Sequence, residues 1–532
     1  MASTEGMANP AIRVRATRAL VAASRQVERA SPTTQVALLI IGFTVWRVML
    51  ALLVGPGTDE SYAIAVSRRL ELSYFDHPPL HYWITHAASL ALGRGRADRL
   101  AFIALFAGTS WLMFVLTRRL FGAAAGVWAC LGLNLSAFFS LAAGGWVLPD
   151  GPLDFCLMAA ACVLAGAWFG PGPTREASRR DWLAAGLWIG LAGLSKYQAA
   201  LFCLGLAVFL ATTPIGRKEL TRLGPYLAAV VTLAMISPVI IWNAEHGWAS
   251  ILFQAGRGAP DSHINPLGPL VTLAGEAGVL LPWIIAPLIV QGFGAIRDGP
   301  SSSRRWFCLC LAAPTILLFN VLPLLAPLGL PHWSMSGWLL LFPLLGSGMA
   351  EEFERRSWPR AWAIGGATFL LAAGAVYAAD SQTGFIGVLS PVRLRYGDPT
   401  LESLDWRPLR GELFRRGLLG PPGIFIGALS WKEAGKLDLA LGDVAPVVVL
   451  SHDPQQYGYI VDPKSLVGRD ALIIDREDLV RDHMVELRPY FRAMSAPIRL
   501  ELGRQHLGEI PITIIRAQDM LRPYPWRPLQ TQ

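Results

Sequence analysis

Long apolar runs separated by short polar breaks fill the first two-thirds of the chain, and then the rhythm changes. A helix that crosses a bilayer needs about 20 mostly apolar residues. Eleven stretches approach that pattern: roughly 35–55, 100–120, 123–143, 151–169, 182–195, 198–213, 223–242, 268–293, 306–328, 333–350 and 360–379. The fifth and sixth are short and are read as a tight hairpin around Ser195, Lys196 and Tyr197. From about residue 380 the charge rises and the apolar runs shrink to strand length: GIFIGAL (423–429), PVVVL (446–450), ALIID (471–475), IRLEL (498–502) and ITIIR (512–516). Polar helices and turns lie between them, the pattern of a small α/β domain. The prediction is a polytopic α-helical membrane protein of about 11 to 13 spans carrying a C-terminal α/β domain. Its parts are a tail (1–34), a multi-span body (35–379) and the α/β domain (380–532).

Composition agrees with the pattern. Of 532 residues, 53% are hydrophobic and 16% charged, fewer charges than soluble domains usually carry. The net charge is +8, yet no basic helix interleaved with aromatics points to nucleic acid. The basic residues instead sort by loop. With the arginine-rich tail inside, the inner loops hold Arg118 and Arg119, then Arg175, Arg179 and Arg180, then Arg217, Lys218 and Arg222. Arg297, Arg304 and Arg305 follow, and then Arg355, Arg356 and Arg360. This is the positive-inside pattern, and it puts the α/β domain outside, in the periplasm of a cell with a cytoplasmic (inner) membrane. Outer loops hold Asp59, Glu60, Asp76, Asp150, Glu245 and Asp261.

The first outer loop, about 56–99, is the exception, with Arg68, Arg69, Arg94, Arg96 and Arg99. Its apolar stretch Leu80–Leu92 is too short to span and holds His81 and His86, so it reads as an interfacial helix. Ser61–Leu72 is a second short helix candidate. The six cysteines all sit in apolar runs without CxxC spacing, which fits buried thiols better than zinc ligands. Arg47 lies inside the first span, where a charge is costly unless paired.

The chemistry concentrates in GTDESYAIAVSRRLELSYFDHPPLHYW (57–83). Asp59 and Glu60 open a helix, where an acidic residue also suits capping. Asp76 and His77 follow one short helix later, and Pro78-Pro79 fixes the turn into the next. Further candidates stand at other outer breaks: Asp150 in LPDGPLDF, Lys196 in GLSKYQA, His246 and Arg257 in WNAEHGWASILFQAGRG, and His332 in LPHWSMSGW.

The combination D-E-x-Y … Y-F-D-H-P-P-L resembles the first periplasmic loop of the GT-C superfamily of membrane glycosyltransferases. The match is to the branch of the protein O-mannosyltransferases, the lipid A aminoarabinose transferase and the rhizobial lipopolysaccharide galacturonosyltransferases. The resemblance implies GT-C architecture and transfer of a sugar from a polyprenyl-phosphate donor to a lipid, lipopolysaccharide, glycan or protein acceptor, with no nucleotide cofactor. It implies Asp59 as base, with Glu60 and Asp150 as further catalytic carboxylates. His77, Lys196, Arg257 and His332 are implied for the donor phosphate, and Asp76 for a divalent metal ion. His77 stands where one relative has lysine, which would make its contact pH-dependent. The alternative function is a transporter or flippase of a lipid-linked or amphipathic substrate, which would place charges deep in several spans.

Overall fold

A computed structural model describes residues 30–170, 176–258, 264–326, 329–386, 399–419, 423–504 and 507–526. Most of the tail, Arg175 and Asp261 lie outside these residues. Helix α1 (Pro32–Leu53) is followed by two short helices, α2 (Thr58–Val66) and α3 (Leu80–Leu92). The body continues through α4 (Arg99–Phe121), α5 (Ala123–Leu135), α6 (Asp150–Trp168), α7 (Arg179–Gly193) and α8 (Ala199–Thr212). Next come α9 (Pro214–Leu220), α10 (Gly224–Glu245), α11 (Ala249–Arg257), α12 (Gly268–Leu280), α13 (Pro282–Asp298) and α14 (Ser303–Val321). The short α15 (Met335–Leu339), α16 (Phe342–Arg355) and α17 (Trp358–Thr383) complete the body.

Six of these helical segments are long and apolar enough to cross a membrane alone, or up to eight if each of two bent pairs is one span. The eleven apolar runs are therefore not eleven straight spans. The run at 268–293 breaks at Leu281, where φ is +81° just before Pro282, and α12 and α13 meet at 118°. The run at 198–213 turns by 105° into basic α9. The run at 123–143 gives only a 13-residue helix, followed by a π-helical turn over Phe138–Ala143.

Helices α4 to α8, α14 and α16 share one apolar core around Phe106, Leu133, Trp168, Phe209 and Phe342. The outer faces of α1, α10 and α17 leave large apolar side chains exposed, among them Ile41, Met49, Val230, Leu233, Ile364 and Phe369. Such a belt suits lipid and not water. Arg47 is buried in α1. It donates to Ser140 O (2.9 Å), Ser140 Oγ (2.9 Å) and Asn134 Oδ1 (2.7 Å), which satisfies the charge that the sequence left without a partner.

The C-terminal domain adds α18 (Pro408–Arg415), α19 (Trp431–Leu441), α20 (Tyr457–Ile460) and α21 (Glu477–Leu487). Its strands are β1 (Phe425–Ala428), β2 (Val447–Val449), β3 (Ala471–Arg476), β4 (Phe491–Met494), β5 (Ile498–Arg504) and β6 (Leu507–Met520). They form one sheet in the order β2-β1-β3-β6-β4, with β5 also paired to β6. The pairs β1–β2 and β1–β3 are parallel, and every pair with β6 is antiparallel. Strand β4 escapes the apolar pattern because only Phe491 is buried in it.

Side chains alternate between the two faces of the sheet. Ile426, Leu472, Ile474 and Ile514 join Tyr62, Ile64 and Leu437 in one core, while Phe425, Ile473 and Ile515 pack under α21. Helix α2 is thus not a surface helix. Residues Glu60–Val66 are all buried beneath α19. The two backbones touch at Gly435, where a Cβ would stand 2.6 Å from the Tyr62 nitrogen. The exceptional arginines of the first outer loop are used here. Arg68 pairs with Asp438 (2.6 Å), Arg94 with Asp443 (3.1 Å), and Arg69 donates to the Ile460 carbonyl.

Candidate active site

The start of α2 separates its two acids. Glu60 points inward and is held by the buried Arg99, which donates through Nε to Oε1 at 2.6 Å and through Nη2 to Oε2. Glu60 also accepts from the Gly57 and Val147 N–H groups (2.8 and 3.1 Å). Arg99 completes its set on the Val54 and Gly55 carbonyls (2.8 and 2.9 Å). Burial alone would raise the Glu60 carboxyl, but Arg99 and the two N–H groups hold it below the usual range. With its oxygens engaged, Glu60 serves as an anchor for the α2 N-terminus rather than as a free catalytic acid.

Asp59, one residue earlier, keeps solvent-exposed surface among dense neighbouring protein. Burial raises its carboxyl above the ordinary value. Glu402 and Glu60 add to this, while Lys432 and Arg257 oppose it. A carboxylate raised above its ordinary value and still accessible is suited to taking a proton.

Asp76 lies in the loop between α2 and α3. Its carboxylate accepts from the Tyr82 hydroxyl (2.9 Å to each oxygen) and the Tyr62 hydroxyl (3.2 Å). Gln254 Nε2 donates to its carbonyl at 2.6 Å. Burial pushes the carboxyl up to about 6 against these hydrogen bonds. His77, next to it, has a buried Nδ1 with no hydrogen-bond partner among the described residues. Burial drives its imidazole well below the ordinary value, and the nearby His81, Lys196, Arg257 and His332 push the same way. His77 is thus neutral near pH 7, a donor or acceptor of a hydrogen bond rather than a standing cation.

The remaining candidates arrive from separate elements. The α7–α8 hairpin carries Lys196, whose Nζ pairs with Asp150 Oδ1 at 2.9 Å at the start of α6. The same hairpin is tied to the proline turn by Leu80 N to Leu194 O (2.8 Å). Asp154, one turn into α6, is buried, within electrostatic reach of Asp150 and Lys196. Arg257 ends α11 with its guanidinium 4.8 Å over the Trp333 ring and 5.6 Å over Phe253. It makes no salt bridge among the described residues. His332 precedes Trp333, and burial lowers it to about 4, with Lys196 and Arg257 adding and Asp150 opposing. Contacts join these elements: Leu80 N to Leu194 O links the proline turn to the Lys196 hairpin, Gln254 to the Asp76 carbonyl links α11 to the same turn, and Arg257 over Trp333 links α11 to the His332 segment. His246 stays apart from these contacts, stacked on Trp242 at 4.0 Å with Nδ1 on the Trp242 carbonyl (2.7 Å).

Sequence reasoning missed the tyrosine pair that positions Asp76 and the domain contact that seats the loop. Gln456, beyond β2, accepts from Phe75 N (2.7 Å), and its own N–H donates to the Tyr62 hydroxyl (3.1 Å). Tyr82 lies three residues past the prolines, a spacing that carries no signal of its own, and Gln456 is far away in sequence. The donor set does not fit a divalent ion held by the protein alone. Among the described residues no three His, Cys, Asp or Glu side chains group for metal binding, and both Asp76 oxygens accept from tyrosines.

Acidic and basic side chains thus gather at one end of a helical body that carries an α/β domain. The family described as dolichyl-phosphate-mannose-protein mannosyltransferase matches residues 76–242. The chain is 24% identical to the lipid A galacturonosyltransferase RgtD of Rhizobium johnstonii over 61% of its own length and 66% of that protein. It is 23% identical to the undecaprenyl phosphate-alpha-4-amino-4-deoxy-L-arabinose arabinosyl transferase 2 of Proteus mirabilis over 50% of each chain. The matches thus span between half and two-thirds of these relatives. The crystal structure of ArnT from Cupriavidus metallidurans bound to undecaprenyl phosphate shares the fold, with a TM-score of 0.60 and 17% identity over 90% of this chain and 97% of that one. The chain therefore has the fold of ArnT, and about a third of it matches the mannosyltransferase family.

Proposed function

We propose that the chain moves one sugar from a polyprenyl-phosphate donor to a lipid acceptor at the outer face of the cytoplasmic membrane, with its α/β domain in the periplasm. The relatives' names and the undecaprenyl phosphate bound to ArnT support this donor and a lipid acceptor. The observation that carries the reading is Arg257. Its helix meets the Asp76–His77 turn through Gln254 and the His332 segment through Trp333, which supports a phosphate-binding role for Arg257.

Asp59 takes the proton of the acceptor hydroxyl as its oxygen attacks the anomeric carbon. The new C–O bond forms while the bond from that carbon to the phosphate oxygen breaks, with inversion. The polyprenyl phosphate leaves with its negative charge facing Arg257 and Lys196, and His77 and His332 offer hydrogen bonds to it. Lys196 is pre-oriented by Asp150, which acts through it. Asp76 fixes Tyr82 and Tyr62 and so the loop that carries His77.

The test is purified protein with lipid A and, in turn, the undecaprenyl-phosphate-linked galacturonic acid and aminoarabinose donors. Mass spectrometry should show lipid A gaining one sugar. Undecaprenyl phosphate that neither binds the protein nor inhibits transfer would refute the donor assignment.

A further inference from the structure

Open α/β sheets bind ligands outside the carboxyl ends of their parallel strands. In this domain those ends belong to β2, β1 and β3. The end of β1 leads through Ser430 into α19, and the end of β2 leads into residues 450–456. Both ends rest on the catalytic loop, through the Gln456–Phe75 bond and through Trp431, whose ring meets Tyr62 edge-on at 5.2 Å.

Four side chains at these ends have no role in the mechanism above. Trp431 is half-buried and Lys432 is exposed, with its Nζ 5.9 Å from the Trp431 ring. Asp453 is exposed, and Gln455 Nε2 donates to its Oδ1 at 2.6 Å. Gln455 is buried and left-handed, with φ +50°. A non-glycine residue in that region costs of order 1–3 kcal/mol and persists where the surroundings impose it, often at ligand clamps. An aromatic face, a carboxylate and an amide are the groups that hold a sugar ring.

Lys432 supplies a charge. It makes no salt bridge among the described residues. It is felt by Asp59 and by Asp453, whereas the charges felt by His77 and His332 are Lys196 and Arg257. Trp431, next to Lys432, packs on Tyr62, one turn along the helix that Asp59 opens, so the patch adjoins that helix on the side of the outer domain. Arg257 comes from the membrane body with the phosphate cluster, and Lys432 comes from the outer domain.

We propose that Trp431, Lys432, Asp453 and Gln455 form the acceptor subsite and take the phosphorylated sugar headgroup of a lipid. The sugar ring lies against Trp431, its hydroxyls meet Asp453 and Gln455, its phosphate meets Lys432, and the attacking hydroxyl faces Asp59. The assignment rests on the sugar-transfer reading.

Native mass spectrometry of the full-length protein in detergent tests it, with diphosphoryl lipid A, fully dephosphorylated lipid A and undecaprenyl phosphate as probes. Lys432→Gln should weaken diphosphoryl lipid A about tenfold, the loss of one charge-assisted contact. It should leave dephosphorylated lipid A and undecaprenyl phosphate unchanged, with an unaltered melting midpoint. Trp431→Ala should weaken both forms of lipid A. Wild-type affinity of Lys432→Gln for diphosphoryl lipid A would overturn the subsite. Wild-type protein that holds undecaprenyl phosphate but no lipid A would overturn it too and leave the donor reading standing. Binding of neither lipid would overturn both.

Discussion

Replacing Glu60 by alanine should unfold this protein more readily, whereas replacing its neighbour Asp59 by asparagine should only silence it. The Glu60 carboxylate is the counterion of a guanidinium that is itself buried, and it accepts two backbone N–H groups besides. Glu60→Ala leaves Arg99 charged and uncompensated among the Val54 and Gly55 carbonyls. Removing one partner of a buried pair costs about 3–5 kcal/mol. Two orphaned N–H groups, at about 1–3 kcal/mol each where they stay dry, push the loss toward the upper end. Asp59 has no such partner, and its carboxyl is already raised by burial and by two neighbouring acids. Asparagine there removes an unfavourable charge and costs no stability. The assay is the melting midpoint of the detergent-solubilised protein at one fixed scan rate, because such unfolding is commonly irreversible. Sugar transfer is measured in parallel at low temperature. Glu60→Ala should melt several degrees lower. Asp59→Asn should melt at or above wild type and lose about 10²- to 10⁴-fold in rate, the usual worth of a general base. A Glu60→Ala midpoint equal to wild type would refute the clamp and return Glu60 to the catalytic candidates.

Binding of undecaprenyl phosphate should tighten as pH falls from 8 to 5. Burial holds His332 at about 4 and His77 well below its ordinary value, and a bound phosphate raises both, so binding takes up protons. In a double variant with both histidines changed to glutamine, most of that slope should vanish in a pH series, leaving only the phosphate's own ionisation. Leucine at Gly435 should press on the Tyr62 backbone, loosen the outer domain from α2 and cut transfer at least tenfold, while proteolysis shows the membrane body intact. Asp76→Asn should weaken transfer more than undecaprenyl phosphate binding, since Asp76 orients a loop and does not meet the phosphate. Chelation should leave transfer within twofold of the untreated rate, and rescue of a lost activity by a divalent ion would show that Asp76 binds metal after all.

The sequence made the body legible where apolar runs were long and uniform, as in α1, α4, α6 and α10. It could not show the bend at Leu281, because a single residue with positive φ leaves no trace in an apolar run. Strands β1, β2, β3, β5 and β6 announced themselves by apolar runs, while β4 buries too little to do so. In the site, the acidic loop stood out because charge is rare in such a chain. The division between Asp59 and Glu60 was illegible, since it depends on Arg99, which reads as a surface arginine until α2 is placed against α4. The basic residues of the first outer loop broke the positive-inside pattern for a similar reason. Their partners, Asp438 and Asp443, belong to a domain several hundred residues away.

The central claim is that this chain adds one sugar to an envelope lipid and that Asp59 draws the proton. Mass spectrometry of lipid A and related glycolipids tests it whichever sugar is transferred. The extracts come from a deletion strain carrying the wild-type chain, the Asp59→Asn chain or an empty vector. One glycolipid should lose the mass of a single sugar residue in the empty-vector strain, regain it with wild type, and remain without it when Asp59→Asn is present at equal abundance. Identical glycolipid profiles in all three strains, or full restoration by Asp59→Asn, would contradict the account.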